Sequence, residues 1–228
     1  MKHVTIMGAA LAAAFASMVT ASAVSAQEAQ VAWNVGVVSD YIYRGFSQTG
    51  EDPAIQGGVD VTYGSFYGGA WASSVDFGDD TDAEFDLYGG YRTEAAGFAL
   101  DFGVIGYFYI NPPSGSDYDF VEFKAAASRA IGPATLGAAV YYSPDFYGAD
   151  EQATYVEANA AYTIGSRWTL SGAVGHQSLD VGDDYVTWNA GAAFALTDNI
   201  AVDVRYHDTD VDGLLSDDRV AAGLKFSF

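Results

Sequence analysis

The chain of 228 residues has no cysteine, only nine lysines and arginines, and only five prolines. Without cysteine there is no disulfide framework, no thiolate zinc site and no cysteine nucleophile. Nine cations stand against thirty carboxylates, a net charge of −21. That leaves too few cations to neutralise a phosphate backbone, so nucleic acid is excluded as a partner. Beyond Ala26 no stretch is long and apolar enough for a transmembrane helix. Any membrane role must then use a closed β-barrel, the other structure that satisfies every backbone group in lipid. Half of the residues are hydrophobic and 15% are aromatic, a composition that argues against disorder despite the charge.

The chain opens on Met1-Lys2-His3, then runs uncharged and mostly apolar to Ala21-Ser22-Ala23 and Val24-Ser25-Ala26. A positive start, an apolar core and two small-x-small sites describe a cleavable signal peptide over 1–26. The remaining unit, 27–228, is expected to be exported.

From there the sequence alternates with a period of two. Val31, Trp33, Val35 and Val37 oppose Asn34 and Gly36, and the same parity continues through Tyr41 and Tyr43 against Asp40 and Arg44. Similar segments follow to the end, among them Tyr67, Trp71, Val75 and Phe77 against Gly68, Ser74 and Asp76. Another sets Val220, Leu224, Phe226 and Phe228 against Arg219, Gly223 and Lys225. Such alternation predicts half-apolar strands. About twelve segments of roughly 9–12 residues fit, the length a tilted membrane strand needs. Seven cations, Arg44, Arg92, Lys124, Arg167, Arg205, Arg219 and Lys225, share the polar parity, and Arg129 alone takes the apolar one.

Parity does not say which face is inside, but three other features do. Tight connections (near Gly64, Ala95-Ala96, Gly132-Pro133, Gly165-Ser166 and Thr197-Asp198) alternate with longer ones at 47–54, 78–83, 112–116, 144–152, 178–184 and 209–217. Aromatics, including Tyr41, Tyr43, Tyr63, Phe77, Tyr142, Tyr162, Trp168 and Tyr206, gather near strand ends, as girdles at a membrane interface. The final strand closes on Leu224, Phe226 and Phe228, a terminal pattern that resembles the assembly signal of bacterial outer-membrane barrels. The expectation is an all-β, transmembrane, antiparallel up-and-down barrel in the outer membrane of a Gram-negative bacterium. Lipid, lipopolysaccharide and the barrel-assembly machinery are its expected partners.

Several phrases carry a family likeness. They are Ser39-Asp40-Tyr41, Tyr43-Arg44-Gly45, Ser47-Gln48, Pro53-Ala54-Ile55-Gln56-Gly57-Gly58, Trp71-Ala72-Ser73-Ser74-Val75-Asp76-Phe77, Glu84-Phe85-Asp86-Leu87-Tyr88 and Tyr142-Ser143-Pro144-Asp145-Phe146. They resemble the TorF family of porins, also described as the Gcw_chp proteobacterial outer-membrane proteins of unknown function. The resemblance implies an outer-membrane barrel and names no substrate.

The polar parity carries Asp40, Asp60, Asp76, Glu84, Asp86, Asp101, Glu122, Glu157 and Asp203 against the seven cations. Paired, these charges would hold a barrel shut; around an aqueous path they would select ions. The expected function is passive diffusion of small solutes or ions, preferably cationic, with Asp40 and Arg44 at the constriction. The long connections are rich in acid and contain no lysine or arginine, which favours cations through their summed field. A rival reading is a closed barrel whose acidic loops bind divalent cations or a surface partner. Asp208-Thr209-Asp210-Val211-Asp212-Gly213 matches the opening of an EF-hand loop, so Asp208, Asp210 and Asp212 are candidate calcium ligands, although Arg219 stands where the bidentate Glu belongs. No other cofactor is expected. His176-Gln177-Ser178 places an imidazole and a hydroxyl on one side of a strand, as a lipid hydrolase would require. No orienting third group is visible nearby, so an enzyme is not expected.

Overall fold

The computed structural model describes residues 28–228; the expected signal peptide lies outside the described residues. Twelve long strands are β1 (Gln30–Val38), β4 (Ala54–Tyr63), β5 (Phe66–Ser74), β6 (Ala83–Ala95), β7 (Phe98–Ile110), β8 (Phe120–Ile131), β9 (Ala134–Ser143), β10 (Ala153–Ile164), β11 (Trp168–Leu179), β12 (Tyr185–Ala195), β13 (Ile200–Thr209) and β14 (Arg219–Ser227). Two short strands, β2 (Ile42–Tyr43) and β3 (Phe46–Ser47), form a hairpin between β1 and β4. Each long strand pairs antiparallel with its neighbours, and β1 pairs with both β4 and β14, which closes the barrel. At the seam Trp33 and Phe228 exchange backbone hydrogen bonds of 3.1 and 2.9 Å, and Val35 and Val37 stand opposite Phe226 and Leu224. Among the described residues no helix is long and apolar enough to cross a membrane.

The faces are inverted relative to a soluble protein. Trp33, Val35, Leu87, Phe102, Val104, Phe123, Val156, Val174 and Val204 all face outward and exposed. Gln56, Glu84, Asp86, Asp101, Glu122, Glu157, Gln177, Asp203, Arg205 and His207 face inward and buried. In water this arrangement would expose apolar surface and bury charge together, both unfavourable. Around a lipid-facing belt with a polar interior it is the stable solution.

Three expectations about the first half need correction. β1 stops at Val38, and residues 39–53 turn into the barrel, so Tyr41 and Tyr43 are not girdle residues. Asp40 bends the segment by accepting hydrogen bonds from Ser47 Oγ at 2.6 Å and Thr49 Oγ1 at 3.0 Å. The hairpin tip places Arg44 and Gly45 at φ of 47° and 92°, in the left-handed region that glycine adopts without steric cost. In β5 the apolar parity points inward: Trp71 packs edge-on to Tyr41 at 5.4 Å, and Tyr67 donates to Asp101 at 2.7 Å. These rings serve the inward hairpin and the lumen, so a rule that sends aromatics to lipid misassigns them. Asp76, read as a lumen residue, lies exposed in the following loop.

The inverted faces make one prediction. Leu87, half exposed at mid-strand, meets hydrocarbon, so Leu87→Arg should lower folding stability in bilayers by about 2–4 kcal/mol. Urea titration of refolding into liposomes measures this; a neutral result would mean that this face does not meet lipid.

Candidate conducting lumen

The interior of a twelve-strand barrel is too wide for wall side chains alone to fill, being intermediate between filled eight-strand and open sixteen-strand barrels. Here the 39–53 segment occupies much of the end that carries the long loops. Its tip meets the wall at β12: a Cβ on Gly45 would lie 2.9 Å from Thr187 Oγ1, and only a glycine fits there without displacement.

Arg44 anchors that tip. Its guanidinium donates to Glu122 Oε2 on β8 at 2.8 Å and to Gln177 Oε1 on β11 at 2.9 Å. It also lies over the rings of Tyr155, Tyr43 and Tyr141 at 4.3, 4.7 and 5.2 Å. The side chains of Arg44 and Glu122 are 5% and 1% exposed, so each charge depends on the other for compensation. Tyr107 adds a hydrogen bond to Glu122 at 3.0 Å. At the base of the segment Arg219 donates to Asp40 at 3.1 Å and pairs with Glu51 at 3.4 Å. Gly175 leaves the space that the Tyr155 ring occupies. Phe146 and Tyr147 from the loop after β9 pack onto Tyr107, Tyr109 and Phe120, completing an aromatic layer.

Elsewhere the lumen charges form local groups. Asp101 holds Lys124 at 3.0 Å and Arg92 at 3.4 Å, with Arg92 stacked 3.9 Å over Tyr67. Asp203 pairs with Arg205 at 3.2 Å, and Arg205 also reaches Asn189 and Ser171. Asp60 accepts from Tyr88 at 2.7 Å, and Glu157 accepts from Asn159 at 2.9 Å. Glu84 accepts from Tyr41 at 3.1 Å, whereas Asp86 Oδ1 is buried without a partner. Between the hairpin and the β13–β14 wall lies a small cavity of about 20 Å³, lined by Asp40, Ile42, Asp203, Arg205, His207 and the small residues Ala221, Ala222 and Gly223.

Of the sixteen charged residues placed on the polar parity from the sequence, two are misplaced: Asp76, as noted above, and Arg167. Arg167 sits exposed in the turn between β10 and β11, because β11 begins only at Trp168. Asp40 and Arg44 face the interior from the hairpin segment, not from a wall strand. The sequence reading puts Thr187 and His207 on the polar parity without naming them as site residues, and it misses Gln177 and the inward tyrosines. Their alternation with outward residues was available, but neutral side chains on the inner parity give little contrast.

The candidate calcium loop is not assembled. Asp208 accepts from Tyr206 and from the Thr209 backbone, Asp210 accepts from the Val186 backbone at 2.7 Å, and Asp212 is exposed. Among the described residues no three acidic or imidazole side chains converge as metal ligands. At the His176–Ser178 pair a third group does exist: Asp184 accepts from Ser178 Oγ at 3.0 Å and lies 4.0 Å from His176 Nε2. The Leu179 backbone N–H and the Ser178 hydroxyl hold the Asp184 carboxyl below its ordinary range. Ser178 thus gives its hydrogen bond to a carboxylate that is poorly basic, an arrangement that orders the loop and does not activate the hydroxyl.

Known outer-membrane structures share this architecture. The KdgM porin superposes with a TM-score of 0.60 at 9% identity, over 88% of this chain and 99% of its own. The NanC porin gives 0.58 at 12% identity, over 87% and 99%. An outer membrane channel from Pseudomonas putida F1 gives 0.54 at 11% identity, over 90% and 96%. At such identities the likeness is one of fold: this is a barrel of the porin type. No curated protein matches the sequence. Residues 21–224 match the family model described as a bacterial protein of unknown function, Gcw_chp, and the chain belongs to that family.

Proposed function

We propose that this protein is an outer-membrane channel that passes small ions, cations in preference, beside a constriction formed by its inward hairpin. The observation that carries the reading is a polar, charged lumen inside an apolar belt, with acid left over after pairing. Arg44, Arg92, Lys124, Arg205 and Arg219 have their ion pairs with Glu122, Asp101, Asp203, Asp40 and Glu51. Glu84, Asp86 and Glu157 stand outside these pairs, and their carboxyl oxygens give the lumen acceptors that favour cations over anions. The acidic long loops add to the same field. The small wall residues Ala221, Ala222 and Gly223 favour a passage on the β13–β14 side of the hairpin. The TorF likeness supports the same reading. Lipopolysaccharide and the assembly machinery, the latter through Phe228, are the partners this location supplies, and the reaction is diffusion without covalent chemistry.

Single-channel recording of the refolded protein in a planar bilayer under a KCl gradient tests this directly. Small discrete steps with a cation-selective reversal potential are expected; silence from folded protein would overturn the channel.

The anchor generates a second prediction. Arg44→Ala leaves Glu122 buried without its cation, a change that costs about 3–5 kcal/mol in comparable pairs. The hairpin should leave its seat, conductance should rise, and the 39–53 segment should become cleavable by protease. Arg44→Met combined with Glu122→Gln removes both charges and should restore much of the protection. Unchanged conductance and protection in Arg44→Ala would show that the pair does not hold the constriction.

A further inference from the structure

We propose that Arg129, with Arg167 on the adjoining turn, holds the phosphate of an anionic phospholipid in the leaflet that meets the short-turn rim of the barrel. The site is on the outer wall, so it stands whether or not the lumen conducts.

The cations inside the barrel have partners there. Arg44, Arg92, Lys124, Arg205 and Arg219 form ion pairs with acids of the lumen and the hairpin segment. Arg129 and Arg167 are exposed, and among the described residues no carboxylate pairs with either. Both lie at one rim. Arg129 is two residues before the end of β8, above the tight turn into β9, and Arg167 is in the tight turn between β10 and β11. The Thr163 N–H on β10 donates to Pro133 O in the first of these turns at 2.9 Å, so the two hairpins adjoin. The acids of this rim, Glu28, Glu94 and Asp198, are exposed and pair with neither arginine.

Arg129 points toward lipid. It shares its parity on β8 with the exposed Phe123 and Ile131, and its cross-strand partner on β9 is the exposed Leu136. Its guanidinium stands 5.4 Å from the centre of the Phe98 ring, its one side-chain contact of this kind. A charge on this face avoids hydrocarbon by reaching for the interface. Exposed Phe98, Tyr162 and Trp168, at the same ends of their strands, mark that level. Phosphate is the anion found there, and a planar guanidinium with its fork of donors suits it. Phe98, Ile131 and Leu136 offer the acyl chains of the same lipid an apolar surface. A zwitterionic lipid carries its own ammonium to neutralise its phosphate; an anionic one does not, so two unpaired cations favour the anionic lipid. Short turns are periplasmic in barrels of this type, which assigns the site to the periplasmic leaflet.

Native mass spectrometry of the full barrel reads the preference. The protein is released from detergent containing equal amounts of phosphatidylglycerol and phosphatidylcholine with the same acyl chains. Wild type should retain phosphatidylglycerol in preference. Arg129→Gln should reduce that preference about fivefold, the contribution of one basic side chain at an anionic membrane surface. Arg167→Gln should reduce it less, and the double variant should abolish it. Ser114→Asp, in an exposed long loop at the opposite rim, lowers the net charge by the same unit and should leave the preference unchanged. Heat-modified gel mobility confirms that each variant is folded. No preference in wild type, a preference that survives in the double variant, or an equal loss in Ser114→Asp overturns the site.

Discussion

A backbone in hydrocarbon has no water to bond with, and that constraint governs the whole molecule. Each N–H and C=O must find a partner on a neighbouring strand, and no strand can be left as an edge. Twelve antiparallel strands with β1 bonded to both β4 and β14 satisfy it. Once the sheet is closed, every strand has one face to lipid and one to the interior. The distribution of valine, leucine and phenylalanine outside and of carboxylate, amide and hydroxyl inside follows from that division. The cations then have an interior to pair in, which is why Arg44, Arg92, Lys124, Arg205, Arg219 and Lys225 all lie on the inner side or on the hairpin.

Closure at this strand number creates a second problem, a lumen wider than its own side chains can fill. The first long connection meets it by folding inward. Asp40 gathers Ser47, Thr49 and Arg219, and Arg44 spans to Glu122 and Gln177 on the opposite side. A long polar side chain does what an apolar plug would not: it fixes position through directional bonds while leaving the lumen surface hydrophilic. The tyrosines around it are suited to both roles, with rings that pack against the guanidinium and hydroxyls that meet the lumen carboxylates.

The barrel was legible in the sequence because a period of two, with the charges held to one parity, fits few folds besides a closed sheet. Alternating connection lengths separated a membrane barrel from a soluble one. Even the alanine-rich strands near Leu136 and Ala160 are present as β9 and β10. The hairpin was not legible. Tyr41 and Tyr43 continue the parity of Val35 and Val37, and nothing in local alternation marks the point where a strand leaves the wall. Trp71 failed for the same reason: a ring that packs on an inward loop looks like a ring that faces lipid. Arg167 shows the opposite error, a correct parity extended past the end of its strand. The aspartates from 208 to 212 have calcium-loop spacing, but the β-hairpin commits Asp208 and Asp210 to the strands around them.

The constriction therefore depends on the 39–53 segment lying within the barrel. A chain without native cysteine allows a direct measurement: the labelling rate of Ile42→Cys by a membrane-impermeant maleimide, set against Leu214→Cys in an exposed loop. Ile42, in the hairpin itself, is buried and Leu214 is highly exposed. Ile42→Cys should then react at least about 100-fold more slowly, through rare opening of the segment. Equal rates in folded protein would place the segment outside the lumen and contradict the constriction.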